Sequence, residues 1–120
     1  MSFSAVYNHN EHSHSLAAAS DSEAGRRVAL GFNPSGHVPT DRIKVSCAAA
    51  MQAIIQERDR TIVEHKERAE SYGGDPLPTA ELEAFNDAMR NFATAMTHLQ
   101  TASMFAVGGL HTRANAGITD

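Results

Sequence analysis

The segment Ser71-Tyr72-Gly73-Gly74-Asp75-Pro76-Leu77-Pro78 puts two glycines and two prolines between two long stretches that contain neither. Glycine and proline are the strongest local breakers of helical periodicity, so this cluster divides the chain decisively. On its N-terminal side, Ile43, Cys47, Ala50, Met51, Ile54 and Ile62 recur at helical spacings. Thr40 caps this first helix with Pro39 just outside it, and Asp41 suits the positive end of the helix dipole. On the other side, Phe85, Met89, Phe92, Met96, Leu99, Ser103, Ala106 and Leu110 step by 4, 3, 4, 3, 4, 3 and 4, which is a heptad seam. Thr79 repeats the Pro-Thr start, and Gly108-Gly109 ends or frays the second helix. The pattern predicts helices over about 41–69 and 80–107. Two rods of similar length joined by a short loop make an antiparallel hairpin, so the fold class is all-α.

Around the hairpin the sequence loses its period. Residues 1–25 are rich in Ser, Ala, Asn and His and read as a tail, flexible or ordered by a partner. The hairpin domain spans 26–112, and 113–120 read as a C-terminal tail. Hydrophobic residues make up 42% of the 120, but aromatics only 6%, with no Trp. One slender partner helix of mostly Ala and Ile leaves Phe85, Met89, Phe92, Met96 and Phe105 partly uncovered. The pattern therefore predicts a homo-oligomer.

Charge and cysteine usage narrow the function classes. A net charge of −4 disfavours non-specific DNA binding, which needs phosphates neutralised. A single Cys excludes an internal disulfide framework and a cysteine zinc cluster. No run approaches the ~18 apolar residues of a membrane span. The first ten residues show neither a basic n-region nor an apolar h-region, and a cytoplasmic location is expected.

Few features carry chemistry. His9, His12 and His14 lie in the tail segment beside Glu11 alone, and read as solvated rather than metal-bound. Single histidines at 65 and 98 read as surface or partner contacts. Cys47, on the apolar stripe and followed by three alanines, reads as a small buried hydrophobe. Nucleophile, zinc and phosphate-loop motifs are lacking, so no catalytic residue, metal or cofactor is assigned.

Two polar clusters stand out. Arg90, Thr94, Thr97 and Thr101 form a stripe that is either a hydrogen-bonding surface for a polar ligand or a set of hydroxyls bonded back to their own helix. The turn Phe32-Asn33-Pro34-Ser35-Gly36, with Arg42 and Lys44 just beyond it, is either an anion site at a helix start or an ordinary turn beside surface charges. Arg58, on the apolar line, either snorkels to a Glu or presents its charge inside an oligomeric groove.

Gly31-Phe32-Asn33-Pro34-Ser35-Gly36 with Thr40-Asp41-Arg42-Ile43-Lys44, and Thr97-His98-Leu99-Gln100-Thr101-Ala102-Ser103-Met104-Phe105-Ala106-Val107, together resemble a known family. It is the anti-CBASS and anti-Thoeris helical-hairpin family of small phage proteins, whose members are non-enzymatic cyclic-nucleotide sponges assembling up to hexamers. The resemblance covers residues 31–107 loosely. It implies a phosphate-facing Lys44, a pocket wall from Asn33, Pro34 and Ser35, and contacts from Thr97 and Thr101. The family often carries a Lys after the Ala-Val pair, where this chain has Gly108-Gly109. The implied partner is a cyclic oligonucleotide or a cyclic ADP-ribose isomer. With the residue-level reading, the candidate ligand contacts are Phe32, Asn33, Pro34, Ser35, Arg42, Lys44, Arg90, Thr97 and Thr101. The competing expectation is a structural or adaptor coiled-coil oligomer without a small ligand.

Overall fold

The computed structural model describes residues 21–30, 33 and 36–118, and these are all helix, turn or coil without a strand. Among the described residues three helices follow one another: α1 (Glu23–Arg27), α2 (Val38–Glu70) and α3 (Thr79–Asn115). The two long helices pack against each other as the expected hairpin, in a body extending 64 × 29 × 20 Å. His9, His12 and His14 lie outside the described residues.

Both long helices exceed their expected bounds. Pro39 lies inside the first turn of α2, with His37 at the N-cap and no side-chain cap from Thr40. The reason is geometric: proline's fixed φ suits the first turn, where its missing N–H has no partner to lose. At the other end, Gly108 and Gly109 do not stop α3, which runs to Asn115. Glycine weakens a helix by about 1 kcal/mol without forbidding it.

The larger difference lies at the N-terminal boundary, where a tail was expected to residue 25. Glu23–Arg27 is instead helical, with Ser22 Oγ accepting from the Gly25 N–H at 2.9 Å. Ala24, Val28 and Leu30 of this segment are buried with Ala48, Met51, Ile55 and Met96, forming the core at this end of the hairpin. A Leu30 N–H to Gly25 carbonyl bond of 2.8 Å and an Ala29 N–H to Arg26 carbonyl bond of 3.1 Å close α1 as a Schellman turn. Its left-handed position is Ala29, at φ 52°, where glycine is usual.

Burial on α2 follows Lys44, Ala48, Met51 and Ile55, with Arg58 half-buried at the next step. The expected stripe sits beside this seam. Ile43, Cys47 and Ile54 are half-buried, while Ala50 and Ile62 are exposed. Two cations hold seam positions because their stems pack and their head groups reach polar atoms on or near α1. On α3 the expected seam holds from Phe85 to Ser103, with Met96 and Ser103 buried. Ala106 is exposed and Val107 takes its place, as a 3.6-residue period drifts against a strict heptad.

Candidate functional site

Residues 21–30 form a brace along the base of the hairpin, with polar tethers at each end. Arg58 donates from Nη1 and Nη2 to the two carboxylate oxygens of Glu23, each at 2.8 Å. Arg27 Nε adds a bond to the same carboxylate at 2.9 Å. The Arg58 bonds, with help from Arg27, hold the Glu23 pKa down at about 2 against the opposing effect of burial. Arg58 is thus the snorkelling cation of the two alternatives. At the other end, Lys44 Nζ donates to the Ala29 carbonyl at 3.0 Å, and Gln100 Nε2 to the Arg27 carbonyl at 2.9 Å.

These last contacts border a cleft of about 290 Å³ where the brace, α2 and α3 meet. Arg27, Val28 and Ala29 supply one wall, Lys44 another, and Gln100, Ser103, Met104 and Val107 the third. Lys44 is 7% exposed, and desolvation lowers its pKa, with Asp41 pulling the other way. An ammonium held in such a setting gains from an anion entering the cleft. Met104, Val107 and Val28 offer apolar surface, while Gln100 and Ser103 bring hydrogen-bonding groups. The volume is near the lower limit of the ~300–1,000 Å³ range of small-molecule sites.

Of the candidate ligand contacts among the described residues, Lys44 alone lines this cleft. Asn33 belongs to the start of α2: Nδ2 donates to the His37 carbonyl at 2.8 Å and to Asp41 Oδ1 at 3.0 Å. Its own Oδ1 accepts from the His37 N–H at 3.2 Å, so its side chain fastens the turn to the helix. Phe32, Pro34 and Ser35 lie outside the described residues. Arg42 is exposed on the outer side of α2. Arg90 is exposed and pairs with Asp87 at 3.2 Å.

The threonine stripe takes the second of its two readings. Thr94, Thr97 and Thr101 donate to the carbonyls of Arg90, Ala93 and Thr97 at 2.9, 3.1 and 3.1 Å. Sequence reasoning missed Gln100, Ser103, Met104 and Val107 as one lining. Their spacing of three, four and seven residues was the available signal. Val28 and Ala29 had none, because nothing local marks a short segment as packed.

At the opposite end, His65 stacks on Phe85 with ring centroids 3.8 Å apart and planes 8° from parallel. Arg68 pairs with Glu81 through Nε at 3.1 Å and Nη2 at 2.9 Å. This pair raises the Arg68 pKa and lowers that of Glu81. Cys47 is half-buried against the core. His98 is exposed. Among the described residues, no three of His, Cys, Asp and Glu gather as a metal ion would require.

The arrangement defines an all-α hairpin whose third, short element closes one wall of a cation-bearing cleft. The chain matches no protein-family model, no curated protein and no solved structure.

Proposed function

We propose that the chain is a phage immune-evasion protein that binds and sequesters a cyclic nucleotide messenger, a cyclic oligonucleotide or a cyclic ADP-ribose isomer, without cleaving it. The observation that carries this reading is the Lys44 cleft. It joins a buried ammonium, hydrogen-bonding groups on Gln100 and Ser103, and apolar surface on Met104 and Val107. Phosphate and base each find a suitable surface there, and sequestration needs no reacting group. The resemblance of residues 31–107 supports the same ligand class. The protein acts as a homo-oligomer, up to a hexamer, in the host cytoplasm. No helix among the described residues is long and apolar enough to cross a membrane.

A structural or adaptor oligomer without a small ligand is the second reading. It is favoured by the bond from Lys44 Nζ to the Ala29 carbonyl and by hydroxyls of the threonine stripe turned onto their own helix. A thermal-shift panel of cyclic dinucleotides, cyclic trinucleotides and cyclic ADP-ribose isomers separates the two. A sponge is stabilised by one of them, by about 2.7 kcal/mol at a hundredfold excess over Kd. Lys44→Met keeps the apolar stem, so the fold and assembly persist while this stabilisation disappears. Heating the complex then releases intact ligand; recovery of a hydrolysed product moves the protein to the enzymes. Silence across the whole panel leaves the adaptor reading.

A further inference from the structure

Four threonine hydroxyls of α3 are satisfied by their own helix, and one serine hydroxyl is not. Thr94, Thr97, Thr101 and Thr112 each donate to the carbonyl four residues earlier. Ser103 makes no hydrogen bond among the described residues, although it is only 3% exposed. Buried hydroxyls find partners as a rule, and one left without is a cost to the fold. Turning back to the Leu99 carbonyl would remove that cost, as the same turn does for the threonines. Among the described residues no fully buried side-chain oxygen or nitrogen lacks a partner, so the Ser103 Oγ keeps an opening, and the cleft it lines is that opening.

Charge in the cleft is one-sided. Its lining holds two cations, Lys44 and Arg27, and no carboxylate, in a chain of net charge −4. Arg27 is anchored from Nε to Glu23 at 2.9 Å, while Nη1 and Nη2 bond to nothing among the described residues. A guanidinium fixed at Nε keeps the fork of its other two nitrogens for a ligand, and that fork matches a pair of phosphate oxygens.

We propose that Ser103 and Arg27 are ligand contacts, and that the cleft takes one nucleotide unit within a single chain. The phosphoryl oxygens meet the Arg27 fork, Lys44 and the Ser103 hydroxyl, and the base lies along Met104 and Val107. Cations alone would accept any small anion. A buried hydroxyl kept unsatisfied in the same cleft adds a directed donor, which an oxyanion with several acceptor oxygens can use. The apolar flank suits a base and not a bare phosphate. A volume of about 290 Å³ is near the lower limit for small-molecule sites, which matches one nucleotide rather than two. Glu23 is the positioning residue, since its carboxylate fixes the Arg27 guanidinium at the cleft wall. The proposal rests on the cleft reading above for its ligand class, and adds to it the contacts and the size of what is held.

Calorimetric titration of the full chain with adenosine 5′-monophosphate, adenosine and inorganic phosphate tests this. The monophosphate binds once per chain, and more tightly than either fragment. Ser103→Ala weakens it about 10-fold, as loss of a hydrogen bond to a charged group does. The free Ser103→Ala chain melts no lower than the wild type, because the hydroxyl had no partner and alanine is the better helix former. Arg27→Gln weakens binding by about 10- to 100-fold and flattens its salt dependence. Arg58 still holds Glu23 in that variant, so the brace stays in place. A serine that serves only the fold gives the reverse pattern, a lower melting temperature with unchanged affinity, and that result overturns the proposal. So does a monophosphate that fails to bind, or binds no better than inorganic phosphate. The cyclic-messenger panel runs separately. A messenger held equally by wild type and both variants sinks this proposal and leaves the sponge standing; a chain that binds the monophosphate as described but no cyclic messenger does the opposite.

Discussion

The two ends of the hairpin are built from the same two helices and are held by different means. At the base, a third segment lies along them, and Ala24, Leu30, Ala48 and Met51 lose all contact with solvent. Toward the loop only Leu77 is buried; Phe85 and Met89 are half-covered, and Ile62 and Val63 are exposed. Polar contacts there are surface pairs such as Arg68–Glu81, a class that contributes little to stability. Two helices alone bury a seam but enclose nothing, and one short additional helix is enough to make a core.

The sharpest way to break that comparison is to create cavities at both ends. Met51→Ala removes a fully buried side chain from a cluster of seven buried residues and should cost about 2–5 kcal/mol. Phe85→Ala removes a larger side chain, yet should cost less, about 1–2 kcal/mol, because the half-open site lets water and neighbours fill in. Urea unfolding of both variants measures the difference. Equal losses would mean that the loop end is as well packed as the base.

Next in size comes the brace. Glu23→Gln removes the charge shared by Arg58 and Arg27 while leaving Ala24 and Leu30 to pack. The Glu23 carboxylate is held at about 2 in the folded state against an ordinary value of 4.5. A depressed carboxylate stabilises the fold fully above its unfolded pKa, and the contribution fades as pH falls from about 4.5 toward 2. Glu23 is about one-third exposed, so solvent screening reduces the effect to roughly 1–2 kcal/mol. Thermal melts at neutral pH should show the wild type above Glu23→Gln, with the two converging near pH 2.5. A constant gap across that window would show that the ion pair is not what ties α1 down.

The hairpin was legible because breakers and periodicity are local signals. Gly73, Gly74, Pro76 and Pro78 mark the turn, and Phe85 to Ser103 mark the seam, with no tertiary information needed. Residues 21–30 were not legible for the opposite reason. Ala24, Val28 and Leu30 are too few to show a period, and they are buried only because a groove between two other helices receives them. The same blindness displaced the α2 seam. Lys44 reads as either an anion-site cation or a surface charge, and Arg58 as either snorkelling to a Glu or facing an oligomeric groove, because their partners at Ala29 and Glu23 lie far off in sequence. The cleft combines one legible half, the Gln100 to Val107 face, with a wall whose existence depends on that docking. Threonines 94, 97 and 101 left both readings open, since hydroxyl direction is a matter of rotamer rather than of spacing.

The smallest expected effect sharpens the comparison by strengthening one end alone. Ala29 adopts φ 52°, a left-handed conformation in which a Cβ costs about 1–2 kcal/mol against the carbonyl that follows it. Glycine there removes the clash but has more freedom to lose on folding, about 0.5–1 kcal/mol. Ala29→Gly should therefore stabilise the fold by about 0.5–1 kcal/mol, the difference of the two. Its carbonyl still accepts from Lys44, so neither the cleft wall nor the tether is lost. Amide exchange locates the gain: protection should rise at Leu30, whose N–H reaches the Gly25 carbonyl at 2.8 Å, and stay level near Phe85. A drop in stability would mean that Ala29 is not strained and that the Schellman turn does not set the end of the brace. A gain spread evenly over both ends would mean that base and loop unfold as one unit, erasing the distinction between them.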